Sequence, residues 1–148
     1  MPTYKIYLIK FFKLADFGFA KKHDEVGGTV LGTEHYMSPE IFLNEVYSFE
    51  VDMWAFGVLL YFMLNMEFPF SNTWKYLELN PHATIEQKRE ELIKQAKDFS
   101  YSKSVKNSKK KIMENCTPEI EDLFSKIFTI DGDERINFAD IREHPVFR

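Results

Sequence analysis

Four short stretches hold the residues whose types and spacing could do chemistry. The first is Asp16-Phe17-Gly18, directly after a candidate strand at Phe12 to Ala15. A carboxylate at a strand end can hold Mg2+ against phosphate oxygens; the same tripeptide can also be an ordinary turn. Gly32-Thr33-Glu34-His35-Tyr36-Met37-Ser38-Pro39-Glu40 begins 14 residues after Gly18. Asp52-Met53-Trp54-Ala55-Phe56-Gly57 opens a long apolar run, and Asp133-Glu134-Arg135-Ile136-Asn137 precedes a final short helix. Asp131-Gly132-Asp133 has the start of a calcium loop, but its glycine is misplaced and the later ligands are missing, so calcium is not expected. His23 and His35 are expected on a solvated loop. Cys116 is the only cysteine, which excludes an internal disulfide and a cysteine-based metal site and fits a reducing compartment.

The elements that must position these residues are organised around Glu50 to Met66. Between Val51 and Leu64 the only charged residue is Asp52. A helix apolar on every side is expected to be buried on every side. Fourteen residues of helix reach about 21 Å, short of the roughly 20 residues that span a bilayer. The run therefore predicts a central core helix, with Asp52 as a lone charge that caps the helix or needs a partner. Tyr4 to Ile9 and Phe12 to Ala15 predict a small hairpin. Residues 21 to 35 read as a long polar loop, with Gly27-Gly28 and Gly32.

Ser38 is expected to cap a helix with Pro39 at its first position and Ile41-Phe42-Leu43 toward the core. Phe68-Pro69-Phe70 ends the central helix. Residues 71 to 116 are the least regular part. Within them Thr84-Ile85-Glu86-Gln87 fits a capping box, Ile85, Leu92, Ile93 and Ala96 recur at helical spacing, and Glu90 precedes Lys94 by four. Thr117-Pro118 starts a further helix with Ile120, Leu123, Phe124, Ile127 and Phe128 on one face, and Asn137 caps the last one.

A chain of 148 residues, 45% hydrophobic and 16% aromatic with fifteen Phe, fits one domain with a real core. A net charge of −4 gives no overall pull toward nucleic acid or anionic lipid. Charge is uneven: Lys103 to Lys111 holds five Lys and no acid, while Ile112 to Glu143 holds nine acids against three bases. The lysine run reads as a solvated loop. Lys10 interrupts the apolar residues Ile6 to Ile9 before they reach the length of a signal core. A cytoplasmic location, with no membrane and no nucleic-acid partner, is expected.

In order and spacing the four stretches resemble the C-terminal lobe of a eukaryotic protein kinase, over nearly all of the chain and least between 71 and 116. Lys13-Leu14-Ala15-Asp16-Phe17-Gly18 looks like the magnesium-binding motif, which implies ATP and Mg2+ at Asp16, Phe17 and Gly18 with Asp16 as the metal ligand. Ser38-Pro39-Glu40 looks like the Ala-Pro-Glu motif that closes the activation segment, with Ser for Ala. The resemblance pairs Glu40 with Arg135, whose planar guanidinium offers a carboxylate a two-pronged match. It places Asp52 where the family's central-helix Asp holds the catalytic-loop backbone. Thr33 stands where serine/threonine-specific members carry Thr. Thr29, four residues earlier, is the candidate phosphosite, where phosphate would add about −2 charge. The expected fold is mainly α, a kinase-like C-terminal lobe around a buried central helix with the hairpin at its start. Residues 1–148 form one partial kinase domain, and 71–116 a long variable insert.

The sequence also departs from that pattern. It shows no glycine-rich loop, no strand lysine and no helix glutamate. About a dozen residues before Asp16, where the catalytic loop should end, stands Lys5 after Met1-Pro2-Thr3-Tyr4, without His-Arg-Asp or its Asn. No catalytic base is therefore assigned, and Glu34 replaces the Pro common after Thr33. The expectation is the second half of a Ser/Thr protein kinase domain, inactive by itself, whose partners are a protein substrate or an upstream half. Apolar surface is then expected over residues 4 to 20 through Tyr7, Phe11, Phe12, Phe17 and Phe19. The alternatives are a catalytically inactive kinase remnant serving as a protein-interaction module, and an unrelated helical interaction module.

Overall fold

A computed structural model describes Lys13, Ala15, Gly18 and residues 33–42, 47–103 and 117–148. The expected hairpin and the Phe-rich surface over residues 4 to 20 lie outside the described residues, Lys13, Ala15 and Gly18 excepted. Among the described residues the fold is helical: α1 (Pro39–Phe42), α2 (Glu50–Asn65), α3 (Ser71–Leu79), α4 (Ile85–Lys97), α5 (Pro118–Ile127) and α6 (Phe138–Arg142). Single 3-10 turns lie at Glu34–Tyr36 and Pro145–Phe147. No helix among the described residues is long and apolar enough to cross a membrane.

α2 is the organising helix, as its composition demands. Met53, Trp54, Gly57, Val58 and Tyr61 are buried. They meet Leu123, Phe124, Ile127 and Phe128, the apolar face of α5. Gly57 sets how closely the two helices approach, because a β-carbon there would stand 2.2 Å from Ile127 Cγ2. Trp54 stacks on Phe70, and Tyr101 stacks on Phe124 at 4.7 Å. α2 is nevertheless not buried all round. Leu59 and Met63, on one side of the helix, are 45% and 59% exposed, and Met66 just past its end is 50% exposed. An all-apolar run says nothing about which side is covered, and α2 packs here against α5 and the 34–36 turn only along part of its circumference.

The helix starts follow the expected local chemistry at three of four predicted sites. Thr84 and Gln87 form the reciprocal capping box of α4. Thr117 Oγ1 accepts from Ile120 N–H with Pro118 at the first helical position. Asn137 Oδ1 accepts from the N–H groups of Ala139 and Asp140. Pro39 opens α1, but Ser38 does not cap it. Its side chain is fully buried and, among the described residues, its hydroxyl meets no partner.

Two further expectations fail. Lys94 pairs with Glu91, at 3.5 Å, rather than with Glu90, because Glu91 is held at hand by Gln95 Nε2. Residues 71–79, read as irregular, form α3. Only Thr73 and Trp74 are buried there, so the helix shows no apolar stripe in sequence and is held by tertiary contact with α4. The chain turns into α3 through two left-handed residues, Met66 (φ 55) and Phe70 (φ 58). Phe70 tolerates this conformation because its ring is buried against Trp54, Phe99 and Phe128.

The segment after α4 is fastened by Glu121 of α5, whose carboxylate accepts from Tyr101 N–H at 3.0 Å and Ser102 N–H at 2.7 Å. Burial alone would raise this carboxyl. Donation from the Ser102 backbone, the Ser100 and Ser102 hydroxyls and the Tyr101 backbone holds it below its ordinary value of 4.5. A depressed acid stabilises the fold above its unfolded value and loses that contribution as pH falls through the folded one. Near-ultraviolet dichroism of buried Tyr101 is therefore expected to stay constant above 4.5 and to decline with acidification below it. Glu121→Gln should remove that pH dependence; a profile identical in both proteins would refute the assignment.

Candidate functional site

The described chemistry gathers on residues 33–42. Thr33 is extended (φ −79, ψ 122) and its carbonyl accepts from Tyr36 N–H at 3.0 Å, while Glu34 O accepts from Met37 N–H at 3.2 Å. These two bonds make a tight turn that points successive side chains in different directions. Glu34 Oε1 accepts from Lys88 Nζ of α4 at 2.7 Å. His35 lies with its ring centroid 4.4 Å from Phe68 and 4.4 Å from Trp74. Burial pulls the His35 pKa below its ordinary 6.5, against the opposing charges of Glu34 and Glu78. The imidazole is partly exposed and packed against two aromatic side chains, rather than freely solvated as the loop composition implied. His23 lies outside the described residues.

Beyond the turn the chain dives inward. Tyr36 sets its ring edge-on to Phe68, and Met37 and Ser38 are buried. Glu40 follows on α1, 95 residues before Arg135. Arg135 donates through Nη1 to Glu40 Oε1 at 2.6 Å and through Nη2 to Glu40 Oε2 at 3.2 Å. The same guanidinium donates to the carbonyls of Glu50 (2.7 Å), Thr129 (3.0 Å) and Ile130 (3.3 Å). It also lies 5.1 Å from the Trp54 ring centroid. The Arg135 side chain is fully buried and that of Glu40 nearly so. A single cation therefore joins α1, the first residue of α2 and the loop after α5, with its donors matched to acceptors.

The other sequence candidates are not brought to this centre. Asp52 is exposed, and among the described residues no donor meets its carboxylate. It does not cap α2 by a side-chain bond either. The surrounding protein still removes enough water to raise its pKa above the ordinary 3.8. The lone charge is accommodated by partial solvent contact rather than by the buried partner the apolar run suggested. Asp16, Phe17 and Thr29 lie outside the described residues, and Gly18 is an exposed turn residue. Among the described residues no group of three or more His, Cys, Asp or Glu side chains could hold a metal ion.

Three neighbours of the turn escape a reading of the sequence: Phe68, Trp74 and Lys88. Phe68 looks like part of a helix stop, Trp74 sits in a stretch with no periodicity, and Lys88 is one exposed-face lysine among several. Their partners are 32 to 54 residues away, and only the one anomaly of Glu34 in place of Pro hints at a required counter-charge.

A family model described as protein kinase domain matches residues 6–147. The cAMP-dependent protein kinase type 3 of Saccharomyces cerevisiae is 32% identical over 142 residues, 91% of this chain and 29% of its own length. Protein kinase C delta type of Mus musculus is 34% identical over 140 residues, 92% of this chain and 17% of its own. The cGMP-dependent protein kinase of Plasmodium berghei is 50% identical over 60 residues, 40% of this chain and 7% of its own. The chain thus spans less than a third of the length of each of these relatives.

Proposed function

Because this chain belongs to the protein kinase family, we propose that it supplies the C-terminal half of a Ser/Thr protein kinase domain, acting in ATP-dependent phosphoryl transfer to Ser or Thr of a protein substrate. The observation that carries this reading is the two-pronged Glu40–Arg135 bond. It closes the segment that presents Thr33 and fixes that segment to the core, which is what a substrate-side loop requires. Phosphoryl transfer is achieved mostly by positioning and by stabilising charge. In this reading Thr33 faces the substrate hydroxyl, Asp16 is the residue that would hold Mg2+ against ATP phosphates, and Phe17 and Gly18 complete the proposed cofactor-binding motif. Thr29 is the candidate activating phosphosite. A reducing, cytoplasmic setting is proposed from the single Cys116.

A single carboxylate holds Mg2+ weakly, since the ion keeps its waters and relies on substrate phosphates for its other ligands. Residues 1 to 148 alone are therefore expected to transfer no measurable phosphate from radiolabelled ATP to a generic Ser/Thr protein. A version extended upstream through a glycine-rich loop and a His-Arg-Asp should transfer it, and Asp16→Asn should abolish that transfer. Turnover by the short chain that survives Asp16→Asn would sink this mechanism. No turnover from the extended form would favour the second reading, a catalytically inactive interaction module, for which the exposed side of α2 at Leu59 and Met63 is the supporting observation.

A further inference from the structure

We propose that α3 and α4 form a clamp on the Thr33–Tyr36 turn, with Lys88 as a positioning residue that acts on protein substrate through Glu34. The inference rests on the kinase reading for its consequence, but its geometry stands by itself. The clamp has two jaws. On one side Lys88 Nζ reaches Glu34 Oε1 at 2.7 Å across 54 residues of sequence. On the other, the His35 ring lies against both Phe68 and Trp74. Neither jaw is free to wander. Trp74 Nε1 donates to Pro69 O at 2.8 Å, which locks the indole to the loop carrying Phe68. Lys88 stands in the first turns of a helix whose start is fixed by the Thr84–Gln87 box. α4 also packs along α1, the next element after the turn.

The charge is what gives Lys88 its role. Its side chain is only 21% exposed, so an unpaired ammonium there would lose hydration, and an unpaired Glu34 would leave the turn without an anchor. The turn's own hold is small: two backbone bonds, Tyr36 N–H to Thr33 O and Met37 N–H to Glu34 O. Glu34 thus serves twice, by its carbonyl inside the turn and by its carboxylate outside it. Loosening the carboxylate end frees the residue next to Thr33, the position proposed to meet substrate. A substrate-contacting loop that is less well ordered binds its peptide more weakly, because ordering must then accompany binding.

Charge reversal tests this without touching Thr33 or Asp16. In the 148-residue chain, Lys88→Glu and Glu34→Lys are each expected to speed amide exchange at Tyr36 and Met37 by roughly threefold to tenfold, the range of a partly exposed ion pair made repulsive. The double reversal should restore protection, and Lys88→Met should give a smaller loosening than Lys88→Glu. The Phe128 amide, bonded to Phe124 O at the end of α5, should stay unchanged in all of them. In the upstream-extended form the single reversals should raise KM for protein substrate several-fold with kcat and KM for ATP unchanged, and the double should return KM to its starting value. Unchanged exchange in the single reversals, equal acceleration at Phe128, no rescue by the double, or a loss confined to kcat would each overturn the clamp. An extended chain that transfers no phosphate would instead remove the kinase reading, and the exchange experiment would still decide the clamp.

Discussion

Arg135→Met is expected to destabilise the chain by about 3–5 kcal/mol, the cost of breaking a buried ion pair by removing one partner. Stabilities of single domains run to roughly 5–15 kcal/mol, so this is a large share of the whole. The reason lies in what the guanidinium leaves behind. Glu40 keeps a nearly buried carboxylate with no cation, and the carbonyls of Glu50, Thr129 and Ile130 each lose a donor. Methionine can follow the path of the arginine stem but can donate to none of them. Urea unfolding followed by tryptophan fluorescence measures the loss, and Trp54, 5.1 Å from the guanidinium, reports on the same site. Glu40→Leu should also destabilise strongly, by stranding the cation. The double variant should cost clearly less than the sum of the two singles, since each single leaves a charge that the double removes. A loss under about 1 kcal/mol for Arg135→Met would place the pair among exposed ion pairs and undo its role as the closure of the 33–42 segment.

Gly57→Ala is expected to destabilise by about 1–3 kcal/mol although alanine is the better helix former. Replacing a mid-helix glycine by alanine ordinarily gains up to about 1 kcal/mol. Here the added methyl would stand 2.2 Å from Ile127 Cγ2 and 3.1 Å from Phe128 Cε1. Both neighbours are core residues of or next to α5, so α2 and α5 must separate or the side chains must leave their rotamers. The separation would spread through the ring stack of Trp54, Phe70 and Phe128. Thermal unfolding gives the sign directly. Ile127→Ala in the same chain opens the space that the new methyl needs, so the double variant should be more stable than additivity requires. A rise in Tm for Gly57→Ala alone would mean that the helices sit further apart than described.

The identity of the elements was legible where a local rule and a periodic face agree. α5 shows both: Thr117 and Pro118 at its start and five apolar residues on one face, all of which pack as the spacing says. α4 shows the capping box, and there the apolar face is right at Leu92 and Ala96 but not at Ile85, which is 47% exposed. Periodicity names a face without naming its ends. α3 shows neither rule, because Thr73 and Trp74 are its only buried residues, and a helix held by two side chains has no stripe to read.

Charge was the harder matter. The sequence marks Asp52 as the lone charge of an apolar helix, and burial with a partner is the natural inference from that. The fold turns the residue outward instead, and the cation that α2 receives is Arg135, bonded to its first carbonyl and stacked over Trp54. Glu40 and Arg135 could be paired from the sequence only through resemblance to a family, since nothing in 95 intervening residues relates a carboxylate to a guanidinium. His35 was misread for a related cause. Polar neighbours and a glycine-rich approach make a loop look solvated, while the aromatic walls that enclose the ring come from elements 33 and 39 residues downstream.

Sequence by itself determined a mainly helical chain, a central apolar helix, three side-chain-capped helix starts and the order of motifs that places the chain in its family. Those follow from short-range chemistry: cap hydrogen bonds, side-chain spacing and the cost of exposing an apolar run. Only the tertiary structure decided which side of α2 is covered, that Glu34 meets Lys88, that His35 lies between Phe68 and Trp74, and that one arginine serves Glu40 and three carbonyls. Each of these depends on distances between residues far apart in the chain, and such distances are set by how helices pack, which no local pattern of residues encodes.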